Sequence, residues 1–400
     1  MHYFPDALRG DRPRDVIRRS FIIACVAFLT LIDLFGAQAI LPQIIRAYSI
    51  DAASAGLAVN AATLGMAVSG LVVAWFAASI DRKRGIWLCL ALLSVPTLLL
   101  AVASNIWIFA GLRIAQGVLM AAAFSLTMTY LSERCAMTAA GGALAAYITG
   151  NVVSNLVGRL TATSATEIVG LSGSFVLFAC LNLIGAFLAY MVIGSRDETA
   201  PRSAGSPSKA WKTHLANPSL RSAFFIGFSI LFLFVGVFTY VNLHLIDRFG
   251  LSETAIGLVY LVFAPAVLTT PFAGTAVNLL GPRKSLFISM LITMLGLLAT
   301  LSSSLWLVLC GLAIVASSTF FSQAAATGYI SVEVRSERAQ ASGLYLSSYY
   351  FGGLAGALVI GRINSIYGWQ GSVVALSIII LFATVASQSF RSISRQEMMI

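Results

Sequence analysis

The chain has 400 residues, of which 58% are hydrophobic and 10% charged, and it carries a formal net charge of +10. A soluble globular domain carries about a quarter charged residues, so most of this surface is expected to face lipid. The basic excess would suggest nucleic acid in a soluble protein, but its placement along the chain follows membrane sidedness instead.

At about 20 apolar residues per crossing, twelve helices are expected, with limits near 21–41, 56–78, 86–104, 107–130, 140–161, 171–193, 221–243, 252–275, 285–302, 306–329, 340–361 and 369–390. Before the first of them, Arg18-Arg19-Ser20-Phe21 faintly resembles a twin-arginine signal. The apolar run that follows reaches Leu41 without a small-residue cleavage site, so it reads as a retained span. Inside it lies Asp33, flanked by Phe28, Leu29, Leu31, Ile32, Leu34 and Phe35. A carboxylate near mid-membrane costs about 3 kcal/mol on insertion scales, and one that is kept usually binds a proton or a cation. Snorkelling to an interface, or a hydrogen bond to a neighbouring helix, is the alternative.

With the N-terminus inside, the cytoplasmic segments hold 20 of the 25 Lys and Arg residues. Arg46, Arg248 and Arg362 fall on the other side, and Arg113 and Arg159 lie within spans. That asymmetry places both termini in the cytoplasm. Cys25, Cys89, Cys135, Cys180 and Cys310 show no paired spacing, and three histidines are too few for a metal cluster. No GxxxxGK[ST] loop occurs. The sequence therefore suggests no cofactor, no metal and no enzyme activity.

Residues 194–220 form the longest polar interruption, rich in Ser, Gly and Pro, and read as a cytoplasmic linker. It separates an N-terminal six-helix half (1–193) from a C-terminal half (221–400). The halves echo one another: Ala146-Tyr147-Ile148-Thr149 resembles Leu344-Tyr345-Leu346-Ser347, and Asn105-Ile106-Trp107 resembles Ser304-Leu305-Trp306. Their shared offset of about 198–199 residues marks a repeat. The expected fold is an all-α polytopic membrane protein, with twelve transmembrane helices in two six-helix bundles related by pseudo-two-fold symmetry.

Arg113-Ile114-Ala115-Gln116-Gly117 is similar to the RxxQG motif of the major facilitator superfamily, and the resemblance spans almost the full chain. Asp33 through Leu41-Pro42 resembles the first-span pattern of that superfamily's proton-coupled drug exporters. The loop Ser79-Ile80-Asp81-Arg82-Lys83-Arg84 resembles the basic GxxxDRxGRR loop in part, lacking its glycines, and Asn278 to Lys284 is its counterpart. The Gly-Pro pair of the antiporter motif is absent from span 5. In its place Tyr147, Asn151, Asn155 and Arg159 recur every fourth residue as one polar stripe. Such a stripe lines a cavity or joins helices, and Arg159 could alternatively snorkel to the outer interface.

The resemblance implies a proton-coupled secondary transporter that exports small amphiphilic molecules by alternating access. Asp33 and Arg113 are expected to couple protons. Gln38, Gln116, Tyr147, Asn151, Asn155, Arg159, Tyr240, Gln323, Tyr345 and Tyr349 are expected to line the substrate path. Asp81, Arg82, Lys83, Arg84, Arg283 and Lys284 are expected in gating loops, without assigned charge pairs. The expected partners are a small-molecule substrate, protons and the lipid bilayer. A monomer in the plasma membrane, the inner membrane in a Gram-negative bacterium, completes the expectation. Import, transport of sugars, amino acids or organic anions, and lipid flipping are the rival readings within this fold; a transporter-like scaffold or sensor without transport is the rival outside it.

Overall fold

The computed structural model describes residues 13–76, 80–134, 137–193, 207–334 and 337–390. The chain opens with α1 (Pro13–Ala39) and α2 (Leu41–Tyr48), two parts of one span bent by 62°. Pro42 sits in the first turn of α2, where its missing N–H costs nothing. Then follow α3 (Ala52–Phe76), α4 (Arg82–Leu100) and α5 (Ile106–Arg134). Short polar residues start each of these helices. Ser54 donates its backbone N–H and its hydroxyl to Asp51 at 2.9 and 2.6 Å, which holds the Asp51 carboxyl below the usual carboxylate range. Asp81 accepts from the Arg84 N–H at 2.7 Å, and Asn105 accepts from the Trp107 and Ile108 N–H groups.

Spans 5 and 6 form a single run, α6 (Met137–Val192), broken at Gly170, where φ is 73°. Spans 11 and 12 repeat the device in α14 (Arg338–Ser387), broken at Gly368 with φ 63°. Only glycine enters this left-handed region without strain. The two breaks lie at the repeat offset read from the sequence. They fall in the connections expected between spans 5 and 6 and between spans 11 and 12.

Between them lie α7 (Pro207–Ala216) and α8 (Pro218–Phe249), the latter capped by Asn217 and ended by Gly250. Span 8 is broken into α9 (Glu253–Val259), α10 (Ala264–Thr269) and α11 (Ala273–Leu280), joined by two tight turns with Pro265 and Pro271 near them. Next come α12 (Pro282–Ala299) and α13 (Leu305–Glu333). Of the expected linker, residues 194–206 lie outside the described residues, while 207–216 form α7 rather than an extended coil. Counted by crossings, the helices make twelve spans in two six-helix bundles.

Within the halves, α1 packs on the α6 hairpin, α3 on α5, and α8 on α14; across the halves, α3 meets α14 and α6 meets α9. Small residues set the closest approaches. A Cβ on Gly352 would strike the Phe228 backbone, and one on Gly356 the Phe232 backbone, one turn further along the same α8–α14 seam. Gly150 meets the Ala24 backbone in the same way at the α1–α6 seam. Ala substitutions at Gly352 and Gly356 should each cost about 1–3 kcal/mol by forcing the helices apart. Gly328, with open space around its Cα, is the control. Thermal melts of purified protein should show Gly352→Ala and Gly356→Ala lowered, and Gly328→Ala unchanged or raised.

Candidate functional site

Asp33 lies on α1 and is 1% exposed. Its Oδ2 is reached by the Thr97 hydroxyl of α4 at 3.2 Å, the Gln116 amide of α5 at 3.1 Å, and the Asn182 amide of the second α6 segment at 3.2 Å. Gln116 and Asn182 also donate to Thr97 Oγ1, at 2.6 and 3.1 Å. Four helices therefore converge on one carboxylate oxygen. The other, Oδ1, is buried and has no hydrogen-bond partner among the described residues. A proton or a hydrogen-bonding group would be accommodated there, because an unmatched buried acceptor is costly.

Arg113 is fully buried beside it. Its Nε donates to the Val59 carbonyl at 2.9 Å, Nη1 to Gln116 Oε1 at 2.7 Å and the Asp33 carbonyl at 3.3 Å, and Nη2 to the Leu34 carbonyl at 3.4 Å. The guanidinium thus grips the α1 backbone and orients Gln116, and Gln116 holds the carboxylate. Gln116, expected among the substrate contacts, is hydrogen-bonded here to Arg113, Thr97 and Asp33.

A second centre lies further along the N-terminal half. Arg159 is fully buried, which excludes snorkelling to an interface. Its Nη2 donates to Gln38 Oε1 at 2.5 Å, and Nη1 to the Phe238 carbonyl at 3.4 Å. The rings of Phe35, Phe238, Tyr260 and Phe263 surround it at 5.8, 5.6, 4.7 and 5.4 Å. Gln38 passes the chain of bonds to Asn60 at 2.7 Å, and Asn60 to Thr239 of α8 at 3.1 Å. Asn242 donates to the Tyr260 hydroxyl at 2.6 Å.

The rest of the stripe is buried too: Asn155 donates to the Asn151 carbonyl of its own helix, and both side-chain oxygens lack partners. Among the described residues neither amide is hydrogen-bonded to another helix. The Tyr147 side chain lies outside the described residues. Tyr240 is sealed between Gly56 and Gly361 and donates to the Ala357 carbonyl at 2.6 Å, so it closes the seam between the halves. Tyr345 and Tyr349 stack at 6.2 Å in the C-terminal half, and Gln323 is half-buried on α13.

Of the residues expected in gating loops, Asp81 is the α4 cap and Arg82, Lys83, Arg84, Arg283 and Lys284 lie in the first turns of α4 and α12; Arg82 donates to the Ile80 carbonyl at 3.0 Å. Lys83 lies 4.9 Å over the Tyr190 ring, and Arg84 and Lys284 are exposed. Arg283 donates twice to Gln388, at 3.0 and 2.5 Å, beside a cavity of about 710 Å³ away from both buried centres. Thr97, Asn182, Asn60 and Thr239 escaped the sequence reading. A lone amide in an apolar run, as at Asn60 or Asn182, was the available signal.

Two six-helix bundles enclosing buried polar centres define a membrane transporter. The chain belongs to the Major Facilitator Superfamily, whose family model matches residues 23–266 and 243–398. It is 27% identical to a transporter of Buchnera aphidicola (Schizaphis graminum), over 88% of this chain and 86% of that protein. It is 26% identical to the MFS-type transporter YybF of Bacillus subtilis, over 88% and 87% of the two chains. To the inner membrane transport protein YnfM of Escherichia coli the identity is 25%, over 91% and 88%. Among solved structures, an inward-facing, occupied bacterial homolog of the human lysosomal transporter Spinster superposes with TM-score 0.76 at 16% identity, covering 95% and 97% of the chains. The nucleoside transporter NupG gives 0.71 at 13% identity, covering 93% and 99%.

The Arg113 fork makes a testable point. Lysine carries a compact charge on a flexible stem and cannot reach three carbonyls and an amide together. Arg113→Lys should therefore cost about 2–4 kcal/mol, near the loss from breaking a buried charge network. A thermal melt lowered by several degrees, with membrane insertion retained, is the expected result.

Proposed function

We propose that the protein is a proton-coupled secondary transporter that exports small amphiphilic molecules by alternating access. The observation that carries this reading is the Asp33 carboxylate, buried at the meeting point of four helices with one oxygen held and the other unpartnered. A proton entering from one side neutralises Asp33, and the neutral form tolerates the dry centre; release on the other side restores the charge. Arg113 acts as the positioning residue, since it fixes the α1 backbone and Gln116 around the acid. The direction of transport rests on the resemblance of the Asp33 to Pro42 run to proton-coupled exporters.

Gln38, Asn151, Asn155 and Arg159 form the substrate face on the N-terminal half. Tyr240, Gln323, Tyr345 and Tyr349 contribute from the C-terminal half once the seam opens. The segments at 81–84 and 283–284 act as gates on the cytoplasmic side. The basic asymmetry of the sequence supports both termini there. The name of YnfM supports an inner-membrane location. The protein works as a monomer, each half-bundle rocking against the other around the midplane.

The test is Asp33→Asn in reconstituted vesicles, with a substrate first identified by growth-inhibition profiling across a broad toxin panel. Flux driven by an imposed pH gradient should fall at least tenfold, while melting temperature and insertion are retained. Undiminished gradient-driven flux removes Asp33 from the coupling.

A further inference from the structure

Resting on the transport reading above, we propose that Arg159 is the docking point for an anionic group of the substrate, so that the transported molecule is an organic anion with an apolar or aromatic body. Arg113 and Arg159 are both fully buried, yet they are treated differently. Arg113 has Nε, Nη1 and Nη2 all bonded, at 2.9 Å to Val59, 2.7 Å to Gln116, and 3.3 and 3.4 Å to the Asp33 and Leu34 carbonyls. Among the described residues Arg159 has Nε with no partner and its Nη1 reaches a carbonyl at 3.4 Å, while Nη2 is held by Gln38 at 2.5 Å and the Tyr260 hydroxyl lies beside the guanidinium. Among the described residues no carboxylate is hydrogen-bonded to it. Asp33, the acid on the adjacent α1, is engaged by Thr97, Gln116 and Asn182.

A buried guanidinium without a counter-charge is an incomplete site. The four surrounding rings attract its faces by cation–π contact and leave the unpartnered Nε and the weakly bonded Nη1 at its edge for an acceptor. A carboxylate, sulfonate or phosphonate matches those planar donors, whereas a neutral or cationic group does not. The body of such a molecule would replace ring–ring contacts among Phe35, Phe234, Phe238, Phe263 and Phe320. These rings come from both halves, so an occupant there touches both. One and two turns along the Arg159 face, Asn155 and Asn151 keep unpartnered side-chain oxygens for polar substituents.

The experiment uses three probes with one aromatic body and different head groups: naphthoate, naphthylmethanol and naphthylmethylammonium. Thermal melts of the purified full-length protein should rise by about 2–4 °C with saturating naphthoate and stay unchanged with the other two. Arg159→Gln should abolish the rise and Arg159→Lys should keep part of it. Asp33→Asn should keep all of it, because the anion site does not require the coupling acid. Should Arg159→Gln fail to fold, Asn155→Cys in a background without native cysteines decides. Naphthoate should slow its labelling by a thiol reagent at least threefold, and naphthylmethanol should not.

The proposal is overturned if naphthoate gives no rise, if the three probes act alike, if Arg159→Gln retains the rise, or if labelling of Asn155→Cys is indifferent to naphthoate. Those outcomes leave the Asp33 reading standing, since that is decided by gradient-driven flux alone. Loss of coupling in Asp33→Asn together with a retained naphthoate rise supports both.

Discussion

The Asp33 carboxylate sets the terms for the whole N-terminal half. Moving such an ion out of water costs several kcal/mol even after relaxation. Each hydrogen bond to a charged group returns about 1.5–3 kcal/mol. The Gln116 and Asn182 amides on Oδ2, joined by the Thr97 hydroxyl when it turns from the Leu93 carbonyl, offset much of the penalty, but among the described residues nothing matches Oδ1. The consequence is mechanical as well as electrostatic. Because the donors come from α4, α5 and the second α6 segment, any change at the carboxylate is felt by four helices at once. Arg113, by contrast, is tied to backbone carbonyls that keep their charge distribution whatever Asp33 does.

The two halves share a fold but not a chemistry. At the repeat offset, Asp33 falls on Phe232, Arg113 on Leu312, Gln116 on Val315, Asn182 on Ile380 and Arg159 on Ala357. All five are buried, and all are apolar. Where the N-terminal half holds a hydrogen-bonded acid and two cations, the C-terminal half presents rings: Phe232, Phe234, Phe238, Phe263 and Phe320 pack against one another or against Phe228. The backbone symmetry survives this divergence because it depends on other positions. Gly170 and Gly368 turn the chain between crossings, and glycines or small residues set the α1–α6 and α8–α14 seams.

These differences explain what was legible in the sequence. The twelve spans could be read because each needs a long apolar run, and the repeat because its glycines and aromatic echoes keep a fixed spacing. Asp33, Arg113 and Arg159 were visible because a charge in an apolar run is costly. Partner choice was not visible. Nothing in sequence says that Gln116 turns toward Asp33, or that Arg159 of α6 meets Gln38 of α1, because those meetings depend on helix rotation. Thr97 and Asn182 stand alone in apolar stretches with no periodic companion, so only their position in the bundle gives them a role. The breaks at Gly170 and Gly368 fall inside the connections the sequence placed after residues 161 and 361; what it did not show is that helix continues up to each glycine.

The seam between the halves is thinly bonded. Among the described residues it includes Asn60 to Thr239 at 3.1 Å, Arg159 to the Phe238 carbonyl at 3.4 Å and Ser347 to the Ala67 carbonyl at 2.7 Å. Hydrogen bonds between membrane helices average about 0.6 kcal/mol each. Breaking them costs little beside the several kcal/mol of an uncompensated buried ion. Close packing closes both ends: Tyr240 lies between Gly56 and Gly361 at one, and Gly343 meets Ala74 at the other. Contacts of this kind separate without leaving charged or strongly polar groups exposed to lipid. The energetic weight at the seam therefore falls on Arg159, which among the described residues bonds across the halves while its Nε lacks a partner. An occupant that supplied the missing acceptor would change the stability of the closed seam more than any hydrogen bond described in it.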